Sequence, residues 1–337
     1  MQMHGLSPRL RTKFSLCFIG TAIVAFVLGV LLAGKLNKPD SIPCAPTHHY
    51  LNPDLDCVNV DIAYAHIDAS EQKTEAYVNY QIQSGNATRI SVFFRDLKTK
   101  HWYGVNPDDQ FSPRSLLKLP LAIAYYKLSE IDPAILTQEF TYKQGTSLNQ
   151  YEHFNSSTPL VVGKSYSVQT MLDRMIKDSD NDVVQTLAQY INKDFYNKVL
   201  LDLGVDVPTV AAGGMQADFL TAKIYAATLR TLYNSSYLSP TQSEKLLATL
   251  SESSFTSGLV AGVPKGTVIA HKFGEGTEMD PNTKAVIKRE LHDCGIIYRE
   301  DNPYILCVMT EGNNFDDLST IIAHISQAVW QNTDMSQ

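Results

Sequence analysis

The chain has 337 residues, with 28 basic and 35 acidic side chains and a formal net charge of −7. Its hydrophobic share of 44% excludes a disordered chain, and 18 glycines with 15 prolines exclude collagen-like or low-complexity sequence. No basic stretch reaches the scale needed to hold a nucleic acid.

Residues 14–34 carry no charge. At about 1.5 Å per helical residue, that run spans a hydrocarbon core of about 30 Å. Arg9, Arg11 and Lys13 precede it, and Lys35 and Lys38 follow, a bias toward an inside N-terminus. The expected layout is a cytoplasmic tail over 1–13, a transmembrane signal anchor over 14–34, an extracytoplasmic linker over 35–60 and a folded domain over 61–333. The protein is then single-pass in the cell membrane, with its domain outside the cytoplasm. A cleaved signal peptide is the rival reading; the run exceeds the usual apolar core of about 7 to 15 residues, and no convincing A-x-A site follows. Setting aside those five flanking basic residues leaves 23 basic against 35 acidic, a net charge of −12 that repels nucleic acid and anionic headgroups.

Apolar residues at helical spacing predict a helix over 61–83. Two strands follow, at 90–94 and 102–105. Residues 116–126 are apolar almost all round, the mark of a buried helix. Helices are predicted at 168–176, 182–191, 195–203, 219–233 and 240–250. Strands come at 267–273, 295–298 and 304–309, and a last helix at 318–330. Strands at both ends around a helical middle predict an α+β fold, with one antiparallel sheet flanked by helices and an inserted all-helical subdomain.

Of five cysteines, Cys17 lies within the apolar run, and the other four, Cys44, Cys57, Cys294 and Cys307, allow three pairings. Folding 294–307 about the turn at 299–303 sets Cys294 opposite Cys307, within disulfide reach. Neither pair has zinc-site spacing, and no cofactor motif occurs: no P-loop, no G-x-G-x-x-G, no H-E-x-x-H. No metal or cofactor is expected.

Three short motifs carry chemistry. In Ser115-Leu-Leu-Lys118, helical spacing puts a hydroxyl and an amine on one face, and a lysine in an apolar setting has a lowered pKa and can act as base. Ser70-Glu-Gln-Lys73 has the same spacing but sits among Glu71, Gln72 and Glu75, a solvated face where the amine stays charged. Ser179-Asp180-Asn181 falls between two helices and offers a second hydroxyl and an amide; helix capping is its plain structural use. Lys272-Phe273-Gly274 closes a β-rich run, with a cation at a sheet edge and a glycine that permits close backbone approach.

In this order and at this spacing, the three motifs resemble the S-x-x-K, S-D-N and K-T-G signature of class A β-lactamases and penicillin-binding proteins. The resemblance extends over 258–271, which is similar to the stretch before the K-T-G strand, and over 292–298, similar to the strand after it. It implies a serine hydrolase working through an acyl-enzyme on β-lactams or related cell-wall peptides. Ser115 would be the acylated nucleophile, Lys118 its activating partner and Ser179 the proton shuttle. Asn181 would contact substrate, and Lys272 would set positive charge near the substrate carboxylate. The backbone N–H groups of Ser115 and of Glu275, just after Gly274, would form the oxyanion hole.

Two departures stand out. The family's Ω-loop glutamate has no counterpart, since residues 181–216 contain no glutamate, only Asp182, Asp194, Asp202 and Asp206. Phe273 replaces the hydroxyl residue usual after the lysine. Acylation is expected to be retained, whereas hydrolysis of the acyl-enzyme lacks its usual base. A non-hydrolysing penicillin-binding or sensor module, or a D-Ala-D-Ala carboxypeptidase-like enzyme, is the alternative.

Overall fold

The computed structural model describes residues 49–50, 67–143, 147–154, 158–208, 218–300 and 302–333. The expected anchor, most of the expected linker, and Cys44 and Cys57 lie outside the described residues. Among the described residues, no helix is long and apolar enough to cross a membrane.

The strands are β1 (Arg89–Asp96), β2 (Trp102–Val105), β3 (Glu139–Thr141), β4 (Ser165–Ser167), β5 (Val268–Met279), β6 (Val286–Tyr298) and β7 (Tyr304–Gly312). Five of them form one antiparallel sheet in the order β2-β1-β7-β6-β5; β3 and β4 make a separate ribbon. The helices are α1 (Ile67–Gln83), α2 (Lys118–Ser129), α3 (Val168–Lys177), α4 (Asn181–Tyr190), α5 (Lys193–Asp202), α6 (Ala222–Tyr233), α7 (Pro240–Ser251) and α8 (Phe315–Asn332). Every predicted helix has its counterpart.

Both sheet faces are covered, so successive strand residues enter two different cores. Val92 and Phe94 pack with α8 through Leu318, Ile322 and Val329. Phe93, between them, packs with the α2 and α6 side chains Leu119, Ile123 and Leu229. Helix α2 is buried on almost every side, as its composition requires.

The β5–β6 hairpin runs well beyond the predicted strands. Residues 274–279 and 286–294 hold glycines and charges rather than an apolar run, and only pairing with the neighbouring strand makes them extended. Cys294 and Cys307 are direct partners in the β6–β7 register and are joined by a disulfide. Two local expectations change. Ser70 is buried, not solvated, and hydrogen-bonds the Tyr103 hydroxyl at 2.9 Å, while Lys73 reaches Asn332 on the surface. Within the expected linker, Tyr50 is half-buried, and its amide donates to Glu244 at 3.0 Å.

Candidate active site

Ser115 stands in a 3₁₀ turn, Arg114–Leu117, directly ahead of α2. No side chain caps this turn or α2, so the hydroxyl is not engaged as a helix cap. Arg114 has a positive φ of 47°, rare for a side chain of its size. It holds that conformation through a 2.6 Å ion pair to Glu290, which is buried on β6. Glu290, Asp218 and Glu311 are the one carboxylate trio, among the described residues, close enough to hold a metal ion. Cations of the chain already fill it: Arg89 lies 2.9 Å from Asp218, and Lys288 lies 3.1 Å from Glu311 and 3.3 Å from Glu290. The trio is therefore an anchor for the Ser115 turn.

From the other side the turn rests on β5. A Cβ at Gly274 would lie 3.1 Å from the Ser115 nitrogen and 3.2 Å from that of Leu116. Glycine allows the strand backbone to press against the turn, which makes Gly274 a positioning residue.

The Lys118 side chain is buried, and its amine donates to the carbonyl and to the hydroxyl of Ser179, the latter at 3.0 Å. Burial lowers its pKa to about 8, while Glu152, Asp180 and Glu275 pull the other way. Ser179 lies between α3 and α4 with φ of 56°. The next residue sustains that strain. Asp180 is fully buried, caps α4 at the Asp182 amide (2.9 Å), pairs with Arg174 at 2.6 Å and accepts from Asn149 at 2.7 Å. Capping and site geometry are thus joint uses of one motif.

Strand β5 is an edge, yet Lys272 is fully buried, and the cleft residues Lys118, Glu152 and Glu275 lie close enough to act on its charge. Its amine donates to the Phe273 carbonyl at 2.9 Å and lies 4.4 Å from the Phe273 ring centre. Burial, with the charge of Lys118, drives its pKa well down. Phe273 points into the α8 core and stacks on Phe255, with ring centres 4.3 Å apart.

Ser115, Lys118, Asn181 and Glu275 line one cleft of about 770 Å³, with Tyr151, Tyr196, Arg289 and Phe315 on its walls. Ser179 adjoins it through its bond to Lys118, and Gly274 through its contact with the Ser115 turn. Glu152 also lines this cleft, and no sequence motif points to it. It sits on a segment, residues 147–154, that crosses from the helical subdomain to β5. Asn149 receives the Asn181 amide at 2.7 Å, and the Glu152 carboxylate accepts from the Asn181 side chain at 2.6 Å. At the far end Glu275 accepts from the amides of His153 and Phe154, each at 2.8 Å. Glu275 and Glu152 are neighbours; burial first, then Glu152, raises Glu275 to about 7 against those two amide bonds. Asp206, one of the four aspartates over 181–216, is exposed and does not line the cleft.

The "Beta-lactamase enzyme family" model matches residues 71–333. Beta-lactamase CTX-M-97 of Escherichia coli is 25% identical over 239 residues, covering 68% of this chain and 79% of the relative. Among solved structures, a mutant of PBP-A, captured as an acyl-enzyme complex with penicillin G, superposes with a TM-score of 0.63 at 19% identity, covering 79% of this chain and 96% of that one. A variant of the last common ancestor of Gram-negative class A beta-lactamases gives 0.65 at 20% identity, covering 78% and 99%. With the motif order, the sheet and the shared cleft already in place, a match over this much of the sequence shows that the chain belongs to the beta-lactamase enzyme family.

Proposed function

We propose that the protein is a membrane-anchored, extracytoplasmic serine hydrolase that forms an acyl-enzyme at Ser115 with β-lactams or D-Ala-D-Ala-type cell-wall peptides. The observation that carries this reading is the buried Lys118 amine, which shares the cleft with Ser115 and is bonded to Ser179. Burial makes the neutral amine accessible near neutral pH, so Lys118 can take the Ser115 proton as the hydroxyl attacks. Ser179 then relays that proton to the departing nitrogen. Asn181 holds the substrate amide, and the backbone N–H groups of Ser115 and Glu275 hold the oxyanion. Lys272, buried behind the wall, contributes field rather than direct contact, and recognition of a substrate carboxylate passes to cations on the cleft wall such as Arg289.

Intact-mass measurement of the full-length protein with penicillin G, sampled over time, tests this. A covalent adduct is expected on the wild type and none on Ser115→Ala; an adduct persisting on that variant places the nucleophile elsewhere. Gly274→Ala is expected to slow adduct formation by at least tenfold, because the added methyl pushes on the Ser115 turn. A melting temperature near that of the wild type separates this effect from misfolding.

The alternative is a penicillin-binding or sensing module that acylates without turnover. The absence of glutamate over 181–216 favours it. A long-lived wild-type adduct is its signature.

A further inference from the structure

The cleft contains a carboxylate where the Ω-region supplies none. We propose that Glu152 is the general base that hydrolyses the Ser115 acyl-enzyme, with Glu275 as the partner that holds it in place. The inference rests on acylation at Ser115, the reading given above.

The geometry is specific. Glu152 lines the same cleft as Ser115, Lys118 and Asn181. Its carboxylate is oriented by the Asn181 amide at 2.6 Å, and Asn181 is itself fixed through Asn149. Among the carboxylates near Lys118, Glu152 pulls most strongly on the amine. Glu275 accepts two backbone hydrogen bonds from the segment that carries Glu152, so the base stands on a support anchored at both ends. Burial, with the neighbouring Glu152 as a further cause, raises Glu275 to about 7, so the two carboxyls face each other across the tied segment.

The step balances without an outside reagent. Water attacks the ester carbonyl as its proton passes to the Glu152 carboxylate. The bond between the carbonyl carbon and Ser115 Oγ then breaks, and its electron pair stays on Oγ. The proton returns from Glu152 through Lys118 to Oγ, and the acyl group leaves as the acid.

The test follows formation and decay of the penicillin G adduct on the full-length protein by intact mass. The wild-type adduct is expected to form and decay. On Glu152→Gln, which keeps the acceptor for Asn181, acylation should slow by no more than tenfold while decay falls by at least a hundredfold. Glu152→Ala should show the same persistent adduct, with decay restored at least tenfold by added formate, a response that a purely structural role does not give. Decay on Glu152→Gln at the wild-type rate overturns the assignment and leaves acylation intact. A wild-type adduct that never decays also overturns it. No wild-type adduct, from penicillin G or from a thioester acyl donor, overturns the acylation reading and this inference together.

Discussion

Replacing Lys118 with methionine is expected to slow acylation of Ser115 by about 10²- to 10⁴-fold, the usual contribution of a positioned base. Methionine keeps much of the side-chain volume and removes the amine, so the buried site stays filled. The pH dependence gives a second check. The amine acts only when neutral, and burial sets its pKa at about 8. Acylation should therefore rise about tenfold per pH unit below that value and level off above it. Stopped-flow measurement of adduct formation between pH 6 and 9.5 reads the profile directly. A profile flat across this range assigns the proton transfer to another group, and one in which Lys118→Met keeps the wild-type slope does the same.

The largest stability effect is expected at Asp180. Its side chain is fully buried yet serves the Asp182 amide, the Asn149 side chain and the Arg174 guanidinium. Asp180→Ala removes a helix cap and leaves Arg174 without its counter-charge. Those losses together destabilise the fold by about 3 kcal/mol, which lowers the melting temperature of a domain of this size by roughly 6–12 °C. Differential scanning calorimetry measures it. A drop under about 2 °C assigns the motif's stability to other groups. Because Asp180 also steadies the strained Ser179 conformation, acylation should fall in the same variant even well below its melting point.

The helices and several of the residues gathered at the cleft were legible because their signals are local. An apolar face every three or four residues, a capping side chain, or a serine three residues before a lysine declares itself within a few positions. Glu152 gave no such signal. It sits in Tyr151-Glu-His-Phe154, a stretch with no periodicity, and reaches the cleft only because Asn149 and Glu275 tie its segment down from either side. Lys272 was legible as part of a motif, but its burial was not, since its depth depends on what packs over β5. Ser70 shows the same limit from the other side. Its acidic neighbours suggested a wet face, yet the Tyr103 hydroxyl across the fold draws it inward. The extended β5–β6 hairpin was hidden because pairing, not composition, makes residues 274–279 and 286–294 extended.

The segment that carries Glu152 also bears on how this sequence can vary. Its backbone or side chains bind the start of α4 at one end and the middle of β5 at the other. The two walls of the cleft therefore cannot drift apart independently over evolutionary time. A substitution that moves the first turn of α4 changes where Glu152 stands relative to Glu275, and a shift in β5 is felt at Asn181. Relatives that keep this arrangement should show correlated changes at positions 149, 152 and 275 beside a retained Asn181, whereas relatives that carry their base on the Ω-region are free to vary those three.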